Sequence, residues 1–156
     1  MVERHAVRAL VLSPEGEILL AQMHLTDRSV WCTPGGGLEE GESPREGLLR
    51  ELREEIGDRD WHITSEVWYC SHRFDFEGEL YLQHERFYLV PTPIFEPPLS
   101  MNDPEEQQFF GEYRWWQAFE IKHSLDAFEP GDLHRLLRNL LRGVPTQPLH
   151  IGTADV

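Results

Sequence analysis

The chain has 156 residues, of which 40% are hydrophobic and 27% charged, and its formal net charge is -14. This length favours one domain with its own core, so we expect a single domain over residues 1–156. No apolar run could cross a membrane and no leader peptide is evident, which predicts a cytoplasmic protein. The acidic balance argues against a nucleic-acid polymer as the partner, because such binding uses clustered Lys and Arg.

The first predicted element is a hairpin over residues 6–22, in which two apolar runs flank a turn at Ser13 to Gly16. A polar segment then leads to Thr33-Pro34-Gly35-Gly36-Gly37. Proline and consecutive glycines are typical of an irregular turn whose backbone can approach another group closely. We therefore predict a glycine-rich loop at residues 33–37.

A helix is predicted to begin directly after Ser43. Ser43, Pro44 and Glu46 form the pattern of a capping box with proline at the first helical position. An apolar face follows at helical spacing, and Gly57 supplies a stop; the apolar residues are Leu48, Leu49, Leu52 and Ile56. This face is expected to pack on the core.

The same helix carries three carboxylates, Glu51, Glu54 and Glu55, at spacings that bring them to one side. Like charges at this spacing repel, and a divalent cation would reverse the sign of that interaction. The carbonyl of Gly36 could join them, and oxygen ligands suit Mg²⁺ or Mn²⁺. The alternative interpretation is a solvated helix face whose acids pair with Arg50.

Residues 36–58 resemble the Nudix box, G-x5-E-x7-R-E-U-x-E-E-x-G-U, where U is a bulky aliphatic residue. The matching residues are Gly36, Glu42, Arg50, Glu51, Leu52, Glu54, Glu55 and Gly57, whereas Asp58 departs from the aliphatic final position. The resemblance implies an α+β fold. This is the Nudix α/β/α sandwich, with a mixed central sheet, a catalytic loop-helix-loop and a C-terminal helix.

The resemblance also implies a Mg²⁺-dependent pyrophosphohydrolase that cleaves a phosphoanhydride bond of a nucleoside diphosphate derivative. The resemblance further implies that Mn²⁺ can substitute for Mg²⁺ in that chemistry. The implied metal ligands are Gly36, Glu51, Glu54 and Glu55, and the implied catalytic residues are Glu54, Glu51, Arg50 and Glu106. For Glu106 the alternative is a solvated helical turn, because acidic residues suit helix starts.

Downstream, residues 61–76 and 79–93 are predicted to form a second hairpin with its turn at Glu77-Gly78. Gln83 and Glu85 share one strand face and are candidates for substrate binding; an exposed sheet face is the alternative. A further strand is predicted at residues 111–119, and its Trp115 and Trp116 should point to opposite faces.

The last predicted helix spans residues 132–142, with Asp132 as its N-cap. Just before it, Phe128 and Glu129 stand where some members of the resembled family read oxidised bases, which makes them candidates for substrate binding.

No motif typical of a substrate-specific Nudix subfamily stands clearly at its usual position in this sequence. We expect a nucleoside triphosphate or an oxidised nucleotide, resembling the MutT substrate class. The alternatives are ADP-ribose, a nucleotide sugar or a dinucleoside polyphosphate. A Nudix module that senses a nucleotide without cleaving it is a further alternative, which the retained glutamates oppose. The partner is thus expected to be a small-molecule nucleotide, and a homodimer remains open.

Overall fold

The computed structural model describes residues 1–152. Four strands precede the first helix, and three further helices lie between the later strands, which gives the mixed composition expected of an α+β protein. The strands are β1 (Val2–Leu12), β2 (Ile18–His24), β3 (Ser29–Cys32), β4 (Gly35–Gly37), β5 (Glu66–Phe76), β6 (Glu79–Pro91), β7 (Phe110–Trp116), β8 (Ala127–Glu129) and β9 (Leu149–His150). The helices are α1 (Pro44–Glu55), α2 (Pro104–Gln107), α3 (Ala118–His123) and α4 (Leu133–Arg142).

The strands form a mixed sheet in the order β8-β3-β2-β1-β6-β5-β9, with β4 paired to β1 and β7 paired to β2. β1 is central, because it pairs in parallel with β6 and antiparallel with β2 and β4. Both predicted hairpins are present, and the second turns at Glu77 and Gly78, which have φ values of 50° and 79°. Two positive φ values suit a tight hairpin turn.

Two apolar layers cover the sheet, one on each face. Alternate residues of β1 divide between the layers: Val7 and Ala9 pack with α1, whereas Leu10 packs with α4. Trp116 likewise lies in the α4 layer and Trp115 against the α1 layer, so the prediction that they point to opposite faces is confirmed. The sandwich follows directly from the period-2 alternation of strand side chains.

Helix α1 begins where the capping box predicts. The Ser43 hydroxyl oxygen accepts a hydrogen bond from the Glu46 backbone N–H at 3.2 Å, and Pro44 is the first helical residue. Leu48 and Leu52 are fully buried. Each such side chain contributes about 1.5–3 kcal/mol of burial free energy, which anchors α1 to the sheet.

Several predictions of local structure are wrong. Gly35–Gly37 is a short strand, because its backbone pairs with β1 from Ala6 to Arg8, where a loop was expected. The predicted strand at residues 111–119 ends at Trp116, since the Gln117 and Glu120 side chains form a capping box that starts α3.

Asp132 occupies the N-cap position of α4, but its side chain makes no capping hydrogen bond and pairs with Arg135 at 2.9 Å. The helix itself is present over Leu133–Arg142 and ends at Gly143 as predicted. Among residues 1–152, none of the helices has the length and apolar character needed to cross a membrane.

Candidate active site

The glycine strand β4 lies directly against the carboxylates of α1. A Cβ atom added to Gly36 would stand 2.6 Å from Oε1 of Glu51, which is closer than carbon and oxygen can approach without displacement. Because Gly36 has no side chain, the Glu51 carboxylate can lie directly against its backbone. This contact places the glycines beside the helix, as the sequence analysis predicted.

Arg50 ties the glycine strand, the following loop and the helix together. Its guanidinium donates to both carboxylate oxygens of Glu42, at 2.7 and 2.9 Å, and to the Gly37 carbonyl at 3.0 Å. It also contacts Glu51 at 3.0 Å and Glu54 at 3.3 Å. The hydrogen bond from Arg50 lowers the pKa of Glu42 to about 2. Arg50 thus fixes the positions of several carboxylates at once.

Glu55 and Glu51 are buried carboxylates, with 2% and 7% of their surfaces exposed. Oε2 of Glu55 accepts a hydrogen bond from the Gly35 N–H at 3.2 Å. Burial, followed by the charges of Glu106 and Glu51, raises the pKa of Glu55 well above its usual value. Burial also raises the pKa of Glu51. Two adjacent acids inside the protein are costly unless a cation accompanies them.

Glu106 reaches this cluster from a distant part of the chain. It lies on the single turn of α2, which Asp103 caps by accepting a hydrogen bond from the Glu105 N–H at 3.0 Å. Burial, followed by the charges of Asp103 and Glu51, raises the pKa of Glu106. Both interpretations made from the sequence therefore describe part of α2: Glu105 is exposed to solvent, whereas Glu106 is half-buried and within electrostatic range of Glu51 and Glu55.

The chemistry of this donor set fits a hard divalent cation, because it consists of carboxylate oxygens gathered in a partly buried site. In the described residues 1–152, however, no group of three His, Cys, Asp or Glu side chains is arranged to hold a metal ion. The Arg50 guanidinium contacts both Glu51 and Glu54 in this arrangement.

Arg8 of β1, which sequence reasoning missed, lies on the sheet face that α4 covers and within electrostatic range of Glu55 and Glu106. Its Nε atom lies 3.6 Å from Oε2 of Glu85. Burial alone would lower the pKa of Arg8, but the negative charges of Glu85, Glu55 and Glu106 outweigh burial and raise it. The available signal was a single arginine inside the otherwise apolar run of residues 6–12. Arg8 is a fixed cation at the edge of an acidic site.

Gln83 and Glu85 lie on the same face of the sheet as Arg8. The Gln83 amide donates to Oε1 of Glu85 at 2.7 Å, and Nε2 of His72 lies 3.8 Å from the same oxygen. The Glu85 side chain is 12% exposed and Gln83 is buried. The structure therefore brings this pair, predicted to bind substrate, next to Arg8 and into contact with each other.

Phe128 and Glu129, the other two residues predicted to bind substrate, lie in different environments. Phe128 packs edge-on against Trp116 at a centroid distance of 5.1 Å and belongs to the α4 layer. Glu129 is exposed and forms an ion pair with Arg28 at 3.1 Å. Glu129 also pairs with Cys32 in the ladder between β8 and β3. Phe128 is therefore part of the core, and Glu129 is a solvent-exposed residue of β8, the edge strand next to β3.

Comparison with known proteins places this site in a family. The family model described as NUDIX domain matches residues 2–137. The RNA pyrophosphohydrolase of Helicobacter pylori (strain ATCC 700392 / 26695) is 29% identical over 141 residues, which cover 81% of this chain and 84% of the relative. The enzyme of the same name from Rickettsia bellii is also 29% identical, over 136 residues, with 81% and 82% covered.

Solved structures agree with this assignment. The solution structure of the E. coli ORF135 protein has a TM-score of 0.59 and 26% identity, with 91% of each chain covered. The MutT protein of Methanosarcina mazei Go1 has a TM-score of 0.65 at 20% identity, with 90% of this chain and 94% of that chain covered, which shows a shared fold. Since the family model spans most of the chain and the box lies within it, this chain belongs to the NUDIX family of hydrolases.

Proposed function

We propose that the protein is a Mg²⁺-dependent pyrophosphohydrolase that cleaves a phosphoanhydride bond of a nucleoside polyphosphate. The observation that carries this proposal is the pair of buried carboxylates on α1, Glu51 and Glu55, which lie against the glycine strand β4 and contact Arg50 and the Gly35 N–H, respectively. The charge of Arg8 acts on this site from β1. Buried acids attract a divalent cation, and an adjacent fixed arginine suits a phosphate oxygen.

The residues that would hold Mg²⁺ are Glu51, Glu54 and Glu55, with the carbonyl of Gly36 beside them. When bound, the cation would neutralise phosphate charge and make a water molecule acidic enough to react near neutral pH. Mn²⁺ prefers the same oxygen ligands and should substitute.

Side chains of the protein would accept the proton and position the reacting groups. Glu54 is the only member of the helix triad that is largely exposed, with 46% of its side chain accessible, so it can accept a proton from a reacting water. Glu106 is the second candidate base, because it is half-buried within electrostatic range of Glu51 and burial raises its pKa. Arg50 is a positioning residue, since it holds Glu51 and Glu54 through its guanidinium.

Two substrate classes are favoured by different observations. The buried Gln83 and Glu85 beside Arg8 suit the base or sugar of a nucleoside triphosphate or oxidised nucleotide. The relatives named RNA pyrophosphohydrolase favour a second class, the 5′-phosphorylated end of RNA. If the substrate is the 5′ end of RNA, the net charge of -14 does not exclude a nucleic-acid partner. ADP-ribose, nucleotide sugars and dinucleoside polyphosphates serve as comparison substrates.

The test measures phosphate and pyrophosphate release from nucleoside triphosphates, 8-oxo-dGTP, 5′-triphosphorylated RNA and the comparison substrates. Each assay is run with Mg²⁺, with Mn²⁺ and with a chelator, on the wild type, Glu54→Gln and Glu106→Gln. Glu105→Gln is the matched control, because Glu105 is the exposed neighbour of Glu106. Hydrolysis that persists in the chelator would refute the metal-dependent mechanism. Nucleotide binding without turnover on any substrate would favour the sensing alternative.

A further inference from the structure

The outer side of β5 is an open strand edge over most of its length. β6 pairs with one side of β5 along the whole strand, whereas β9 pairs with the other side only at Trp68 and Tyr69. Within residues 1–152, no further strand pairs with the outer side of residues 70–76. An open edge of this kind can accept another strand through main-chain hydrogen bonds.

The backbone groups that face the open edge belong to Ser71, Arg73 and Asp75. The Tyr69 carbonyl points to the same side, since it accepts a hydrogen bond from the Ile151 N–H at 3.0 Å. In an antiparallel pair, every second residue turns its N–H and C=O away from the partner strand. Residues 71, 73 and 75 therefore carry the outward N–H and C=O groups to which an added strand must bond.

Two charges of opposite sign flank an aromatic ring along this edge. Arg73 and Asp75 are exposed, and the residues directly opposite them on β6 are both leucines, so no charge faces them across the hairpin. Between them, the half-buried Phe74 stacks one ring face on Tyr81 at a centroid distance of 5.2 Å and an angle of 10°. Because Tyr81 lies on the β6 side, the other face of Phe74 is turned toward the open edge.

Charged side chains on an edge strand usually discourage pairing, but here their effect depends on the register of the two strands. Two antiparallel copies of β5 must set outward residues against outward residues, so the two-fold axis passes through a residue. An axis at Arg73 or at Asp75 places that residue against its own copy, and the like charges repel. An axis at His72 requires Tyr69, whose outer side β9 occupies. An axis at Phe74 sets Arg73 of each copy opposite Asp75 of the other.

We propose that the open edge of β5 binds a second copy of this chain, with the two β5 strands antiparallel about Phe74. Two ion pairs between Arg73 and Asp75 form at once, as expected of an isologous interface. The two Phe74 side chains meet at a non-hydrogen-bonded position, where opposite side chains are closest. His72 stands opposite Phe76 of the other copy, which covers a ring that is 56% exposed in the single chain.

The interface consists of one strand pair, so the dimer is expected to be weak. Small interfaces belong to transient complexes, and we expect a dissociation constant on the order of 10 μM. This inference does not depend on the proposed hydrolase function, because its readout is the mass of the particle in solution.

The first experiment is sedimentation velocity over protein concentrations from about 1 to about 200 μM, which bracket the expected dissociation constant. The wild type should change from monomer to dimer. Arg73→Asp and Asp75→Arg should each weaken dimerisation by at least about tenfold, because both ion pairs become like-charge contacts. The double variant Arg73→Asp/Asp75→Arg restores both pairs and should dimerise as the wild type does. Arg138→Asp, at an exposed position of α4, is the matched control.

An equimolar mixture of Arg73→Asp and Asp75→Arg should form a heterodimer, since the charges are then complementary again. A wild type that stays monomeric over the whole concentration range would overturn the proposal. A dimer that neither single reversal weakens would place the interface elsewhere on the molecule. A double variant as weak as the single ones, with a native circular dichroism spectrum, would overturn the register.

A disulfide trap tests the register independently. With the axis at Phe74, the Cα atoms of the two copies lie about 4.5 Å apart at position 74 and about 9 Å apart at position 73. Phe74→Cys treated with the thiol oxidant diamide should therefore give a covalent dimer, and Arg73→Cys should not, because that distance is too long for a disulfide. The wild type is treated in parallel, since it contains Cys32 and Cys70. A covalent dimer of Arg73→Cys alone would overturn the register.

Discussion

Helices α1 and α4 both cover a face of the central sheet, yet they bury different chemistry. The buried residues of α4 are all leucines: Leu133, Leu136, Leu137 and Leu140. The buried residues of α1 are Gly47, Leu48, Glu51, Leu52 and Glu55, so two carboxylates and a glycine stand where α4 has apolar side chains. Burying acids weakens a fold, whereas burying leucines stabilises it. The difference indicates that α4 serves the fold and that α1 serves both the fold and the proposed reaction.

The substitution with the largest expected effect removes the proposed function of α1 and leaves its fold intact. Glu54→Gln should reduce turnover by at least about a thousandfold, or about 4 kcal/mol of barrier, because it removes a proposed metal ligand and base. The change in melting temperature should be small, since Glu54 is partly exposed. Steady-state kinetics and thermal unfolding check both statements. Near-wild-type turnover would place the metal chemistry on other residues.

The converse substitution is Leu137→Ala in α4. Leu137 is fully buried, so its truncation should lower the free energy of unfolding by about 2–5 kcal/mol through lost burial and a cavity. The Mg²⁺ concentration that half-saturates the proposed activity should stay the same below the melting temperature. Denaturant unfolding and a Mg²⁺ titration of activity measure the two quantities. A changed Mg²⁺ requirement would show that α4 also supports the site.

A third prediction concerns pH in the absence of divalent metal. The pKa of Glu55 is raised in the folded protein, so its protonated form contributes stability that is present below the usual carboxyl pKa and lost as the pH rises above it. Melting temperatures of the chelated protein should therefore fall from pH 5 to pH 8 more steeply in the wild type than in Glu55→Gln. Added Mg²⁺ should recover stability mainly at the higher pH, as ligand linkage requires. Parallel curves for both proteins would contradict this.

The smallest expected effects are those of substitutions at the N-cap residues of the two helices. Ser43→Ala removes the capping hydrogen bond of α1 and should cost about 1 kcal/mol of stability. Asp132→Ala should change stability by less than about 0.5 kcal/mol, because Asp132 makes no such bond in α4. Denaturant unfolding of both variants provides the measurement. An equal loss in both would mean that Asp132 caps its helix in solution.

Local sequence signals predicted α1 well because its boundaries depend on neighbouring residues. The Ser43 cap, the Pro44 start and the Gly57 stop act within one or two turns. The same reasoning failed for Asp132, whose carboxylate is occupied by Arg135, and for Gly35–Gly37, whose pairing partner is β1. In both cases a partner beyond the local pattern decided the outcome.

The sequence by itself determined the box, the spacing of Glu51, Glu54 and Glu55 on one helix, and the turn of the second hairpin, because these features follow from helical and strand periodicity. Only the tertiary structure decided that Arg8 and Glu106 approach this helix and that Phe128 packs against Trp116. It also paired Arg4 with Gln83 on neighbouring strands, since sheet register joins residues far apart in the chain. Such contacts arise from packing between elements, which the periodicity of a single element does not specify.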